Sequence, residues 1–278
     1  FISAGSIPRT FAFTSSVWVL VTQTDKLVLS GILPLAEYGY FTLAVLAASG
    51  ILIVSGPVSS VIMPRMTVLH AEGKREEFIR VYRSATQMVS ILAGSAAITL
   101  ALCSEQLLFA WTGDLQMARK AAPMLRLYAI GNGFLAVSAF PYYMQYAIGI
   151  LRYHLIGNAV MVFILVPSIV LAATHFGGIG AGYVWVMMNG LYFFTWVAYV
   201  HYKLEPNLHK KWILNDVLKI IAPAAAISFL IADIYPEHTE RFFGLLQGVI
   251  IGVVAIIFSF GSSSVGRGMF FGKRMRDF

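Results

Sequence analysis

The chain has 278 residues, of which 58% are hydrophobic and only 12% charged. Soluble domains carry about 25% charged residues, so this composition excludes disorder, a coiled coil and a typical soluble enzyme, and points to an integral membrane protein. The net charge of +7 does not imply nucleic acid, because polytopic membrane proteins gather Lys and Arg in their cytoplasmic connections.

A helix needs about 20 mostly apolar residues to cross roughly 30 Å of hydrocarbon. Stretches free of Asp, Glu, Lys and Arg therefore locate the spans. The first, 10–33, is interrupted only by Asp25 and Lys26. At 100° per residue, Thr14, Trp18, Thr22 and Asp25 fall within an arc of about 80°, forming one polar stripe on an apolar helix. Two readings follow. Either the stripe lines a hydrophilic cavity, with Asp25 as a proton or cation site, or Asp25 lies at the outer interface and pairs with a cation such as Arg126.

The second span, 38–63, ends at Pro64. The connection that follows turns at Gly73 and becomes amphipathic, with Phe78, Ile79 and Tyr82 on one side and Lys74, Arg75 and Arg83 mainly elsewhere. It reads as an interfacial segment leading into the third span, 84–109. Its cations either grip anionic lipid or hold topology. The fourth span, 122–148, places Tyr128, Asn132, Tyr142 and Tyr146 on one face, with a bend expected at Pro141. Tyrosine rings stack on sugar faces and hydrogen-bond their edges, so this face can serve as a saccharide wall. Interfacial anchoring and packing are the commoner uses of such tyrosines.

Residues 153–202 contain no formal charge over fifty positions, too many for one helix. The run His175-Phe176-Gly177-Gly178 divides them into spans five, 152–174, and six, 178–202. Asn158 and Asn189, within them, are expected to bond between helices. Span seven, 216–234, holds Lys219 at one end, where it can snorkel. Span eight, 242–263, carries Gly244, Gly248 and Gly252 as a GxxxGxxxG stripe suited to close helix packing. The reading is an all-α polytopic membrane protein of about eight transmembrane helices. Long unbroken apolar runs argue against a β-barrel.

With the N-terminus inside, fifteen of the twenty basic residues fall on the inner side, which favours both termini in the cytoplasm. The single cysteine, Cys103, excludes an internal disulfide and a cysteine-cluster metal site. The glycine run at 177–182 lacks the spacing of a dinucleotide loop, and there is no Walker A, HExxH or GxSxG motif. No enzyme, cofactor or metal is expected. The chain opens on Phe1 rather than Met, and no internal repeat is evident, so an incomplete chain is expected, lacking one lobe if it is a transporter.

The segment Gln23-Thr24-Asp25-Lys26-Leu27-Val28-Leu29-Ser30-Gly31, with Glu37-Tyr38-Gly39-Tyr40-Phe41-Thr42-Leu43-Ala44, resembles the opening of the second half of polysaccharide flippases. These are the O-antigen or lipid-linked oligosaccharide translocases of the multidrug/oligosaccharidyl-lipid/polysaccharide exporter superfamily. Val61-Ile62-Met63-Pro64-Arg65-Met66 and Ala71-Glu72-Gly73-Lys74 resemble theirs as well. The motif similarity covers about residues 23–83, and the similarity in topology extends over the chain.

The resemblance implies a six-helix lobe at 1–202, with two additional helices and a basic tail at 203–278. A separate N-terminal six-helix lobe would be the partner. The implied substrate is an undecaprenyl-pyrophosphate-linked oligosaccharide, moved across the bacterial inner membrane among membrane lipids and polysaccharide assembly proteins, with no nucleic acid involved. Asp25 would couple an ion, Arg126 would meet the diphosphate, and Tyr142 and Tyr146 would contact sugar. Thr14, Trp18, Thr22 and Asn132 would complete the cavity. A drug or metabolite antiporter of the same superfamily and a membrane-embedded glycan polymerase are the alternatives.

Overall fold

The computed structural model describes residues 23–234 and 240–270. Helix α1, residues 23–32, leads through Pro34 into α2 (Leu35–Ala71). Gly73, at φ +72°, turns the chain into α3 (Arg75–Leu102), whose first turn carries Glu76 and Glu77 against the positive end of the helix dipole. The amphipathic segment is thus the opening of α3 and runs on into the third span.

The third span does not run on to residue 109. It breaks at Cys103, and α4 (Ser104–Thr112) follows. Gly113, at φ +74°, ends α4, and Asp114 caps α5 (Leu115–Ser138) by accepting from the Gln116 and Met117 amides at 2.9 and 3.0 Å.

Span four is likewise two helices. The chain leaves α5 at Ala139 and resumes as α6 (Phe140–Ala147). Pro141 has no amide hydrogen to donate, and the Tyr142 and Tyr143 amides share the Ala139 carbonyl at 3.1 and 3.2 Å. The next helix, α7 (Arg152–Leu191), is interrupted where expected. Gly177 adopts φ +60°, ψ −149°, a conformation essentially confined to glycine, and separates two passes. A π-helical turn at Tyr192–Trp196 joins α7 to α8 (Val197–Leu204), and α9 (Leu208–Lys211) runs through a second π-helical turn, Trp212–Leu218, into α10 (Lys219–Ile234). The chain closes with α11 (Arg241–Ser262) and α12 (Ser264–Phe270).

Every element among the described residues is helical, and the protein is an all-α polytopic membrane protein. Five helical stretches are long and apolar enough to cross a bilayer: Leu35–Ala71, Arg75–Leu102, Arg152–Leu204, Leu208–Ile234 and Arg241–Ser262. The 53-residue stretch is the one broken at Gly177. Helix α5, which carries Arg119, Lys120 and Arg126, is less apolar but central, packing against α2, α3, α4 and α7.

Helices α10 and α11 pack on each other and on α3, and α11 also lies along α4. The glycine stripe faces this contact. Gly244 sits over the Gln106 backbone, Gly248 against Leu107, and Gly252 beside Thr99. A Cβ on Gly244 would meet the Gln106 carbonyl oxygen at 3.2 Å, and that oxygen belongs to backbone that cannot rotate away. Gly244→Leu is therefore expected to destabilise the protein by about 1–3 kcal/mol, read as a lower unfolding midpoint in detergent. An unchanged midpoint would show that α11 is not tightly seated there.

Candidate functional site

Asp25 lies on α1 and is 2% exposed. Its Oδ2 accepts a hydrogen bond from the Tyr128 hydroxyl of α5 at 2.8 Å, and its Oδ1 accepts from the Lys26 amide at 2.8 Å. The Lys26 ammonium turns away and donates to Gln23 Oε1 at 2.8 Å, as expected for neighbours that do not share a helix face. A carboxylate held by one phenol and one amide keeps acceptor capacity for a proton or a small cation.

Tyr128 extends the network inward. Its ring stacks on Trp185 of α7 with centroids 5.7 Å apart and 16° between planes, and it meets Phe41 of α2 edge-on at 5.6 Å. The Trp185 indole N–H donates to Asn132 Oδ1 at 3.0 Å, and Asn132 Nδ2 donates to the Ala48 carbonyl of α2 at 2.9 Å. Tyr128 and Asn132 lie four residues apart and so share a face of α5. Asp25, Tyr128, Trp185, Asn132 and Ala48 thereby link α1, α5, α7 and α2 within the bundle.

Gly131 makes the approach of Trp185 possible, since a Cβ there would overlap Cδ1 of the indole. Tyr128→Phe would keep the stack but leave Asp25 Oδ2 without its buried donor. A loss of about 1–3 kcal/mol in stability is expected, measured by thermal unfolding alongside Trp185 fluorescence. An unchanged midpoint would mean that another group satisfies the carboxylate.

The remaining predicted residues distribute differently. Arg126 is not the partner of Asp25. Two positions before Tyr128, it faces elsewhere, is exposed, and donates from Nε to the Ala101 carbonyl at 3.1 Å. Thr14, Trp18 and Thr22 lie outside the described residues. Because the fourth span breaks at Ala139, Tyr142 and Tyr146 do not continue the face of Tyr128 and Asn132. They form a second, half-buried group, with centroids 6.2 Å apart.

Tyr142 lies 4.3 Å from the His154 ring of α7. His154 is anchored through its amide to Gln145 Oε1 at 2.8 Å, and its Nε2 lies 3.0 Å from Asn158 Nδ2. Among the described residues, Asn158 and Asn189 make no bond to another helix. Each reaches back one turn along α7, Asn158 to the His154 ring and Asn189 to the Trp185 carbonyl at 2.9 Å.

A third polar centre was not singled out from the sequence. Asp216 is completely buried and receives Arg83 Nε at 2.6 Å, Arg83 Nη2 at 3.1 Å and Gln87 Nε2 at 2.7 Å. Its place at the start of span seven was legible, but its partners on α3, 133 and 129 residues away in the chain, were not. Helix α9 and the π-helical turn extend that stretch back to Leu208 and carry Asp216 inside it. Among the described residues, no group of three or more His, Cys, Asp and Glu side chains is placed to hold a metal ion.

Comparisons with known proteins add the fold. No family model matches the chain, and neither does any curated protein sequence. Among solved structures, it is similar to the lipid II flippase MurJ in an inward closed conformation, with a TM-score of 0.71 and 16% identity over 99% of this chain. The chain spans 57% of that flippase's length. It is also similar to a transporter of the multidrug/oligosaccharidyl-lipid/polysaccharide exporter (MOP) superfamily from Pyrococcus furiosus, with a TM-score of 0.51 and 18% identity, covering 94% of this chain and 63% of that one. At these identities, the likeness is one of fold.

Proposed function

We propose that this chain forms one lobe of a transporter that translocates undecaprenyl-pyrophosphate-linked oligosaccharide units across the bacterial inner membrane by alternating access. The observation that carries the reading is Asp25, a buried carboxylate bonded to Tyr128 inside a fold shared with a lipid II flippase. Intramembrane carboxylates are costly and generally mark ion or substrate paths. In this reading Asp25 couples an ion, and Tyr128, Trp185 and Asn132 hold it in place. By helical spacing in the sequence, Thr14, Trp18 and Thr22 fall on the same stripe as Asp25.

The substrate presents a diphosphate, many hydroxyls and a long hydrocarbon. Arg126 keeps charge-assisted donors for the diphosphate, and Tyr142, Tyr146 and His154 offer ring faces and polar edges to sugar. Residues 1–202 act as the lobe, and 203–278 add two helices and a basic tail. An N-terminal six-helix lobe completes the cavity, and polysaccharide assembly proteins act beside it. Both termini of the chain face the cytoplasm.

The test is depletion of the protein in cells that display surface glycan. Loss of that glycan, with lipid-linked saccharide accumulating in the inner leaflet, is expected. Unchanged glycan together with reduced efflux of a small organic cation would replace this reading with the antiporter.

A further inference from the structure

A polar cavity of about 330 Å³ opens beside the Arg83–Asp216 pair, walled by Glu76, Arg80, Arg83, Ser84 and Gln87 of α3 and by Ser264 at the start of α12. We propose that this cavity binds a phosphate group, presented either by an anionic lipid headgroup or by a free phosphate ion.

Asp216 is sealed behind Arg83 and is out of a ligand's reach, whereas the Arg83 side chain is 32% exposed. The fork to Asp216 uses Nε and Nη2 and leaves the Nη1 hydrogens for another acceptor. Arg80 lies three residues earlier and shares that helix face.

The acceptor that would repel an anion is already committed. Gln87 Oε1 takes the Ser264 amide at 3.0 Å, the Ser264 hydroxyl at 2.9 Å and the Val265 amide at 3.3 Å. Glu76 is the one acid in the wall, at the exposed start of α3 and one turn from Arg80. Two guanidinium groups beside the Ser84 hydroxyl suit the tetrahedral oxygens of phosphate. Basic pockets between transmembrane helices at the cytoplasmic boundary are where headgroups bind.

The experiment measures binding of fluorescent phosphatidylglycerol to the purified full chain in neutral detergent, against diacylglycerol with the same acyl chains. Phosphatidylglycerol is expected to bind and diacylglycerol not to. Arg80→Gln, a change at an exposed side chain, should weaken binding about tenfold, the loss expected for one charge-assisted contact. Arg119→Gln removes an exposed cation paired with Glu105, away from the cavity, and should leave binding unchanged. Competition by inorganic phosphate would assign the site to free phosphate, and resistance to it would assign the site to lipid. Equal binding of diacylglycerol, or full binding by Arg80→Gln, would overturn the proposal.

Discussion

Asp25→Asn is expected to reduce translocation about tenfold or more while leaving the fold in place. Asparagine keeps an oxygen that can accept from the Tyr128 hydroxyl, so the contact that ties α1 to α5 survives. The change in stability should stay within about 1 kcal/mol. What asparagine cannot do is exchange a proton or neutralise a cation. If Asp25 carries the coupling step, removing as little as ~1.4 kcal/mol of barrier lowering slows transport tenfold.

Asp25→Leu provides the contrast. It strands a buried Tyr128 hydroxyl, so it should lower stability by about 1–3 kcal/mol as well as transport. Both are read by surface glycan in cells and by thermal unfolding of the purified protein. Export by Asp25→Asn at the parental rate, with the same ion dependence, would remove the coupling role.

Arg83→Ala is the substitution expected to cost most in stability. It leaves a fully buried carboxylate, Asp216, with Gln87 as its remaining side-chain donor. Breaking a buried ion pair from one side costs about 3–5 kcal/mol. Because Arg83 is one-third exposed, solvent screening brings the expectation to about 2–3 kcal/mol.

Asp216→Asn should be milder, since it preserves an acceptor for Gln87 and leaves Arg83 access to water. The double variant should be more stable than Arg83→Ala alone, because the uncompensated charge is gone. Equal losses for the two single variants would mean that Asp216 is compensated by other groups. The same pair fastens the π-helical turn before α10 to α3, and Gln87 passes the contact on to α12. Arg83→Ala should accordingly also raise proteolysis at the α11–α12 junction.

Much of the helical layout could be read from charge spacing. The break near Gly177 was visible because fifty residues without charge exceed a bilayer crossing, and the turn at Gly73 followed from its place between two runs. The break at Cys103 was passed over because the apolar run resumes after Gln106, and at Pro141 a bend was legible but not a full break at Ala139. The second of these breaks decided the site. A single bent helix would have aligned Tyr128, Asn132, Tyr142 and Tyr146, whereas the two helices send the first pair to Asp25 and Trp185 and the second to His154.

What the sequence determined by itself is the solvent and the class of fold. So few charges in such long apolar runs can be satisfied only in hydrocarbon, where each helix must close its own backbone hydrogen bonds. What only the tertiary structure decided is which buried polar groups meet. Asp25 pairs with Tyr128 and not with Arg126, and Asp216 is sealed by Arg83 from 133 residues away in the chain. Helical periodicity assigns a face to each side chain but leaves open which neighbour that face will meet. In a medium without water, that neighbour determines whether a carboxylate is tolerated.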